Sequence, residues 1–278
     1  MTEAVREFRF TDTNFEQLRE LALEQTGIVL GDNKRQMVYG RLARRLRALQ
    51  MHNFDDYCDY LRAHPDSELG ELINAITTNL TAFFREQHHF EHLATQAVPE
   101  ILQRNAASRR LRVWSAGCST GEEAYSIAMT LTEQPALENW DVRILATDID
   151  TSVVHIGAEG VYPAERLELV PEARLRRWFD RGTGDNSGRL RVKQALRDKV
   201  YFRPLNLLRT WPMRGPFDVI FCRNVVIYFD KDTQKELFDR FADMLAPDGL
   251  LYIGHAETLF KVSDRFVSVG RTVYRKRA

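Results

Sequence analysis

The stretch Leu111-Arg112-Val113-Trp114-Ser115-Ala116-Gly117-Cys118-Ser119-Thr120-Gly121-Glu122-Glu123-Ala124-Tyr125-Ser126-Ile127-Ala128-Met129 decides the fold. Its apolar start predicts a buried strand, its small residues 115–121 predict a turn, and the apolar spacing that follows predicts a helix. This is the layout of the first βα unit in a nucleotide-binding α/β sheet, which makes Gly117 a candidate cofactor-binding residue. The dinucleotide pattern G-x-G-x-x-G is incomplete, because only Gly117 and Gly121 bracket Cys-Ser-Thr. A tight turn without a ligand is the alternative.

A second apolar strand ends in two acids. Residues 141–150 read Asp-Val-Arg-Ile-Leu-Ala-Thr-Asp-Ile-Asp. An acid at the carboxyl end of the second strand holds the ribose hydroxyls in such folds, both in enzymes that use NAD and in those that use S-adenosylmethionine (SAM). Either acid could instead cap the next helix. We assign Asp148 to the ribose and Asp150 to the cap.

Composition excludes several classes of protein. The chain has 278 residues, with 39 Lys+Arg and 39 Asp+Glu, so its zero formal charge offers no field that would recruit nucleic acid. No run of about 18 apolar residues is present, and the first residues lack the apolar part of a signal peptide. The three cysteines are scattered along the sequence, which fits a reducing compartment. We therefore expect a cytoplasmic protein without membrane insertion.

The chain changes character near residue 109. Residues from about 10 to 78 have helical spacing throughout, and from about 109 the pattern alternates strand and helix, which implies a parallel sheet. We expect a helical domain at 1–80, a junction at 81–108 and an α/β domain at 109–278. The candidate strands are residues 111–115, 142–147, 200–202, 217–222, 249–254 and 266–274.

Two features of the α/β part go beyond a plain dinucleotide fold. Gly270 interrupts the final apolar run, which predicts a closing antiparallel hairpin, typical of a doubly wound, Rossmann-like SAM-dependent methyltransferase domain. Residues 182–188 form a turn-rich tip, and the alternating residues 189–193 follow it, which predicts a small antiparallel β insert at about 180–204. Such inserts commonly recognise partners, and a tolerated surface loop is the alternative.

The second predicted helix is strongly basic. Six Lys and Arg residues fall between Asp32 and Asp55 with no acid among them. We expect Arg41, Arg44 and Arg45 to share a face directed away from the apolar stripe of this helix. That face could dock an acidic partner or simply be solvated. Nucleic acid is a weaker candidate, because no aromatic residues that could stack on bases alternate with the arginines.

Three segments carry a resemblance to a family. They are Asn79-Leu-Thr81-Ala-Phe-Phe-Arg85-Glu86, the glycine turn, and Phe217-Asp-Val-Ile-Phe-Cys-Arg223-Asn224-Val-Val-Ile-Tyr228-Phe229. Together with the order of the parts, they resemble the chemotaxis receptor methyltransferases, the CheR family, over nearly the whole chain. One position departs: Cys118 stands where other members often have another small residue of nearly the same volume.

The resemblance implies a SAM-dependent protein-glutamate O-methyltransferase that modifies the cytoplasmic helical bundle of chemoreceptors and so serves adaptation. It implies that the helical domain and the β insert contact the receptor, the insert through a tail peptide where the receptor has one, and we expect a monomer. The implied cofactor-binding residues are Asn79, Thr81, Arg85, Glu123 (with Glu122 as a substitute), Asp148, Asn206, Leu207, Arg223 and Asn224. Arg85 and Tyr228 are implied to lie nearest the transferred methyl group.

The chemistry of carboxylate methylation suits these residues. A glutamate is already ionised at neutral pH, so the enzyme needs placement of the nucleophile more than a general base. The planar donor fork of Arg85 can hold a carboxylate in a fixed geometry. As alternatives, Arg85 could brace the domain junction by pairing with Glu86 or with a helix end, and Tyr228 could be a core aromatic residue.

Other functions remain open at this point. His88 and His92 are one helical turn apart, yet no further ligand completes a metal site, so we expect none; the role of His255 is open. A nicotinamide-dependent oxidoreductase could use the same βα turn, and a non-catalytic adaptor could keep the fold and bind receptors only.

Overall fold

The computed structural model describes residues 7–277, and it divides the chain into two compact units. The first comprises the residues up to Thr78 together with Tyr228–Asp230. The second comprises Asn79–Ile227 and the residues from Lys231 onward. Residues 1–6, which belong to the predicted helical domain, and residue 278 lie outside the described residues.

The first unit is all-helical, which confirms the prediction for this part of the chain. Thr11 and Asn14 cap the first helix reciprocally, Gly27 ends it with a φ of 70°, and Asn53 caps the third helix. Apolar residues from all of the helices form one core. The helices are α1 (Asp12–Thr26), α2 (Arg35–Ala48), α3 (Phe54–Ala63) and α4 (Pro65–Ile76).

The second unit opens with a helical segment that leads into the sheet. This segment comprises α5 (His88–His92), a π-helical turn (Leu93–Ala97) and α6 (Val98–Arg104). Further helices are α7 (Glu122–Thr132), α8 (Thr151–Glu159), α9 (Glu172–Trp178), α10 (Gln194–Arg197) and α11 (Lys231–Met244). Within the described residues, no helix is long and apolar enough to cross a membrane.

The main sheet has seven strands in the order β6-β2-β1-β7-β8-β10-β9. The first five are parallel, and β10 runs antiparallel to both of its neighbours, which confirms the closing hairpin. The carboxyl ends of the parallel strands therefore meet at one edge of the sheet. The strands are β1 (Arg110–Ala116), β2 (Asp141–Asp148), β6 (Val200–Pro204), β7 (Phe217–Cys222), β8 (Leu245–Ile253), β9 (Phe266–Gly270) and β10 (Val273–Lys276).

A small antiparallel sheet is present, but its strands differ from those expected at about 180–204. It consists of β3 (Val161–Pro163), β4 (Phe179–Arg181) and β5 (Arg189–Val192), in the order β3-β5-β4. Residues 200–204 belong instead to the main sheet, where Val200 pairs with Ile144 of β2. The sequence missed β3 because three residues are too few to show a period, and its partner strand lies about 28 residues later.

Candidate functional site

The turn between β1 and α7 is held in conformations that favour glycine. Gly117, Ser119 and Gly121 have φ values of 82°, 49° and 96°. The N–H groups of Gly117 and Cys118 both donate to the carbonyl oxygen of Thr147, at 2.8 and 2.9 Å. A Cβ atom on Gly117 would lie 2.3 Å from Cγ2 of Val225, so no other residue fits there without displacing that side chain. The turn thus places closely packed backbone at the carboxyl edge of the sheet.

Asp148 ends β2 beside this turn. It is 8% exposed, and its two carboxylate oxygens accept hydrogen bonds from the N–H groups of Ser119 (2.8 Å) and Asp150 (3.0 Å). Burial raises the pKa of Asp148, and the backbone hydrogen bonds offset only part of that rise. A carboxylate has about four lone-pair positions, so each oxygen can accept one further bond, which fits a ribose diol.

Asp150 caps α8, as the sequence predicted. One oxygen accepts from the N–H groups of Ser152 and Val153. The other accepts from Nδ2 of Asn79 at 2.7 Å. The carbonyl oxygen of Asn79 in turn accepts from the Ser119 hydroxyl at 3.2 Å. Asn79 is therefore tied both to the glycine turn and to the loop after β2.

Glu122 and Glu123 are neighbouring acids in the first turn of α7, but only Glu123 binds residues at the carboxyl ends of the strands. Oε1 of Glu123 accepts from the Ser115 hydroxyl at 2.6 Å, and Oε2 accepts from Nη1 of Arg223 at 3.0 Å. Burial raises the pKa of Glu123, and the charge of Arg223 offsets part of that rise. Glu122 is fully buried and binds Thr120 and Arg166 instead. Glu123 is thus the candidate cofactor contact of the pair.

Arg223 also reaches the segment that begins the second unit. One of its N–H groups donates to the carbonyl oxygen of Arg85, and Nη2 lies 3.4 Å from Oε2 of Glu86. The other oxygen of Glu86 accepts from Nδ1 of His255 at 2.7 Å, which gives that histidine a partner. Burial raises the pKa of Glu86, but the His255 hydrogen bond and the Arg223 charge bring it below its usual value.

Arg85 is half-buried, and its guanidinium donates to the carbonyl oxygen of Leu80 at 2.8 Å. Among residues 7–277, the ion pairs of Glu86 are with Arg223 and the two histidines 89 and 255, and not with Arg85. The brace through Glu86 that we considered for Arg85 is therefore wrong. Thr81 is half-buried in the same segment.

Two more predicted segments follow strands at the same edge. The N–H of Leu205 donates to the carbonyl oxygen of Asp148 at 2.8 Å, and the side chain of Asn206 accepts from the N–H of Leu208. Leu207 is buried. Asn224 directly follows Arg223 after β7 and has a φ of 60°, in the left-handed region. The structure thus brings together Asn79, Gly117, Glu123, Asp148, Asn206, Leu207, Arg223 and Asn224 within the second unit.

Tyr228 groups with the first unit. Its carbonyl oxygen accepts from the N–H of Val29 at 3.1 Å, and its side chain is half-buried. These contacts concern its backbone and leave its catalytic role a prediction.

The structure corrects one expectation about the three arginines of α2 that were predicted to share a docking face, Arg41, Arg44 and Arg45. Arg45 donates twice to Glu68, which is 1% exposed, at 2.9 and 2.6 Å, and Tyr57 donates to the same carboxylate. Arg41 donates to carbonyl oxygens at the C-terminal end of α4, those of Ala75 in its last turn and of Thr77, which follows it. Only Arg44 of the three is exposed. The expectation that all three arginines share one free face is wrong for Arg41 and Arg45, because they bind carbonyl and carboxylate oxygens of α4 and of the residue that follows it.

The histidines of α5 pack against the sheet. His92 and Tyr252 share a hydrogen bond of 2.8 Å, and Nε2 of the fully buried His89 lies 2.8 Å from the Thr272 hydroxyl. Burial lowers the pKa of His89 to about 3. One potential ligand atom each from Glu86, His88 and His89 lies within 4.8 Å of the others. The guanidinium of Arg223 already neutralises Glu86, which disfavours a second cation there.

Sequence reasoning missed Glu257. This side chain is 6% exposed, and it accepts from four backbone N–H groups, those of Asn224 and Val225 (2.9 Å each), Val226 (3.0 Å) and Gly254. The only feature of the sequence that could have pointed to Glu257 is the position of Gly254-His-Ala-Glu257 directly after the apolar run of β8.

The chain matches known proteins along almost its full length. Residues 13–77 match the family described as "CheR methyltransferase, all-alpha domain", and residues 79–275 match "CheR methyltransferase, SAM binding domain". The chain is 50% identical over 272 residues to "Chemotaxis protein methyltransferase 2" of Pseudomonas aeruginosa, covering 97% of this chain and 95% of the relative. It is 47% identical over 266 residues to "Chemotaxis protein methyltransferase" of Escherichia coli (95% and 91% covered), and 44% identical over 276 residues to that of Salmonella typhimurium (99% and 93%).

Proposed function

The chain belongs to the CheR methyltransferase family, and from this premise we propose that it methylates the side-chain carboxylates of specific glutamates on chemoreceptors in bacterial chemotaxis. The product would be a glutamate methyl ester, which serves adaptation. The observation that carries the proposal is the gathering, at the carboxyl edge of β1, β2, β6 and β7, of the polar residues that such a cofactor needs. We propose the domain division 1–80, 81–108 and 109–278.

The residues present fit SAM. SAM supplies, when bound, a methyl group on a sulfonium sulfur, and its transfer to a carboxylate leaves S-adenosylhomocysteine. Asp148 offers two charged acceptors for a diol, and the glycine turn offers close backbone. Asn206 and Leu207 would border the adenine, and Glu123, with Arg223, would hold the charged groups of the methionine part. Buried Nε of Arg223 lacks a hydrogen-bond partner among the described residues, so one donor is left for a ligand.

Catalysis in this proposal is placement of the nucleophile. An ionised glutamate needs no base at neutral pH, and no proton moves when a carboxylate oxygen takes a methyl group. Good placement alone is worth at most about 7–11 kcal/mol of a barrier. Arg85 would orient the substrate or cofactor carboxylate, because its fork gives direction without removing the negative charge. Tyr228 would offer its hydroxyl near the reacting atoms.

The proposal also covers the location of the protein, its oligomeric state and the surfaces that contact the receptor. We place the protein in the cytoplasm, as a monomer that contacts no nucleic acid. Arg44 of α2 would meet the acidic receptor bundle, since Arg41 and Arg45 are used within the helical unit. The small sheet would bind a receptor tail peptide where one exists.

Calorimetry with two nucleotides tests the cofactor. We expect micromolar binding of S-adenosylhomocysteine and none of NADH; the reverse preference would favour an oxidoreductase. Incubation with a receptor cytoplasmic fragment and SAM then separates the enzyme from an adaptor, because an adaptor would bind the fragment and transfer no methyl group.

A further inference from the structure

Glu257 sits at the centre of a backbone nest on which the loop after β7 depends. Its carboxylate accepts three successive N–H groups, those of Asn224, Val225 and Val226, and a fourth from Gly254 at the end of β8. A residue in the left-handed conformation lets successive N–H groups converge on one acceptor, and Asn224 has that conformation, with a φ of 60°. The loop after β7 is therefore held by one buried side chain from the loop that follows β8.

The same loop carries residues of the cofactor site. Arg223, which precedes the nest, binds Glu123, and Val225 lies against Gly117, since a Cβ there would meet its Cγ2 at 2.3 Å. A change in the nest would thus move both the guanidinium and the wall of the glycine turn. Gly254 has no room for a side chain beside the nest, because a Cβ would lie 2.6 Å from Nδ2 of Asn224 and 2.9 Å from Oε2 of Glu257.

Burial and a raised pKa also distinguish the Glu257 carboxylate from an ordinary surface acid. Burial raises the pKa of Glu257, and the four backbone hydrogen bonds offset part of that rise. Four converging backbone donors therefore fix the position of this buried carboxylate. We propose that Glu257 is a positioning residue for cofactor binding and methyl transfer, acting through Arg223 and Val225. This proposal rests on the proposed function.

Matched substitutions of two buried acids test it. Glu257→Gln keeps the volume but replaces one acceptor oxygen with an amide that faces N–H groups. Asp218→Asn is the control, because Asp218 is also 6% exposed and also accepts from a backbone N–H, that of Arg112, but lies at the other end of β7. Both variants are compared at a temperature where circular dichroism shows them folded, and the readouts are the Kd for S-adenosylhomocysteine and kcat with a receptor fragment.

We expect Glu257→Gln to weaken S-adenosylhomocysteine at least 10-fold and to lower kcat, Asp218→Asn to stay within 2-fold, and Glu257→Asp to recover part of the loss. Equal Kd values for the wild type and folded Glu257→Gln would overturn the proposal, as would an equal loss in Asp218→Asn. If Glu257→Gln does not fold, Gly254→Ala disturbs the same nest from the opposite side, and the same criteria apply. Failure of the wild type to bind S-adenosylhomocysteine would instead refute the proposed function.

Discussion

The guanidinium of Arg223 lies 3.0 Å from the buried carboxylate of Glu123, 100 residues earlier in the chain. Through this ion pair the loop after β7 is joined to the first turn of α7, and Ser115 at the end of β1 donates to the other oxygen of Glu123. Breaking a buried pair by removing one partner leaves an uncompensated charge and costs about 3–5 kcal/mol. The pair is therefore suited to hold two sides of a ligand site at a fixed separation.

Asp148→Asn should weaken S-adenosylhomocysteine by about 10- to 150-fold, since the loss of hydrogen bonds to a charged acceptor costs about 1.5–3 kcal/mol. The new amide would also face the N–H of Ser119 or Asp150. Calorimetry measures the effect, and Asp141→Asn, at the start of the same strand, is the control. Identical affinities in the two variants would remove Asp148 from the cofactor site.

Arg85→Lys should lower kcat by about 10- to 150-fold at saturating SAM and receptor, because an ammonium group cannot reproduce the fork that orients a carboxylate. Initial rates of methyl transfer give this number. Arg143→Lys changes an exposed arginine at the far end of β2 and should leave kcat unaltered. A kcat for Arg85→Lys equal to that of the wild type would show that Arg85 only holds the carbonyl of Leu80.

Arg45→Ala should lower the free energy of unfolding by about 3 kcal/mol, because it leaves the carboxylate of Glu68 buried without its cation. Urea denaturation measures the loss. Arg44→Ala should change stability by less than about 0.5 kcal/mol, as is usual for an exposed side chain. Equal stabilities of the two variants would be inconsistent with the Arg45–Glu68 pair.

Arg44→Glu should raise the KM for the receptor fragment and leave the Kd for S-adenosylhomocysteine unchanged, since the exposed charge would meet an acidic partner. The effect should shrink as salt is added, because salt screens exposed charges. Steady-state kinetics at low salt provide the test. An unaltered KM there would exclude Arg44 from docking.

His89 should make the second unit sensitive to acid. Its pKa is lowered to about 3 by burial, whereas an unfolded chain has a histidine pKa of about 6.5. Between these values the unfolded state binds a proton that the folded state does not, so stability is complete above about pH 6.5 and is lost as the pH falls, by about 1.4 kcal/mol for each pH unit. Denaturation of His89→Gln between pH 4 and 7 should show a smaller slope than the wild type. Exposed His155→Gln is the control, and parallel slopes in all three proteins would contradict the assignment.

Local sequence predicted the elements that have local causes. The glycine turn, the helical first unit, the closing hairpin and the cap of Asp150 follow from propensities and spacings of a few residues. The partners of Arg45 and the nest of Glu257 lie 23 and about 31–33 residues away in sequence, and β3 is too short to show a period. Such pairings depend on tertiary packing, which the periodicity of a sequence does not reveal. Candidate site residues that periodicity could not identify therefore came from the resemblance to a family.

Transfer of a labelled methyl group tests the central claim most directly. The purified protein is incubated with SAM labelled in its methyl group and with a chemoreceptor cytoplasmic fragment, either unaltered or with its methylation-region glutamates changed to alanine. The labelled protein is then treated with mild base, which releases methanol from a carboxyl ester but not from a methylated amine. We predict label on the unaltered fragment alone and its complete release as methanol. Label that resists base, or equal label on both fragments, would contradict glutamate methylation.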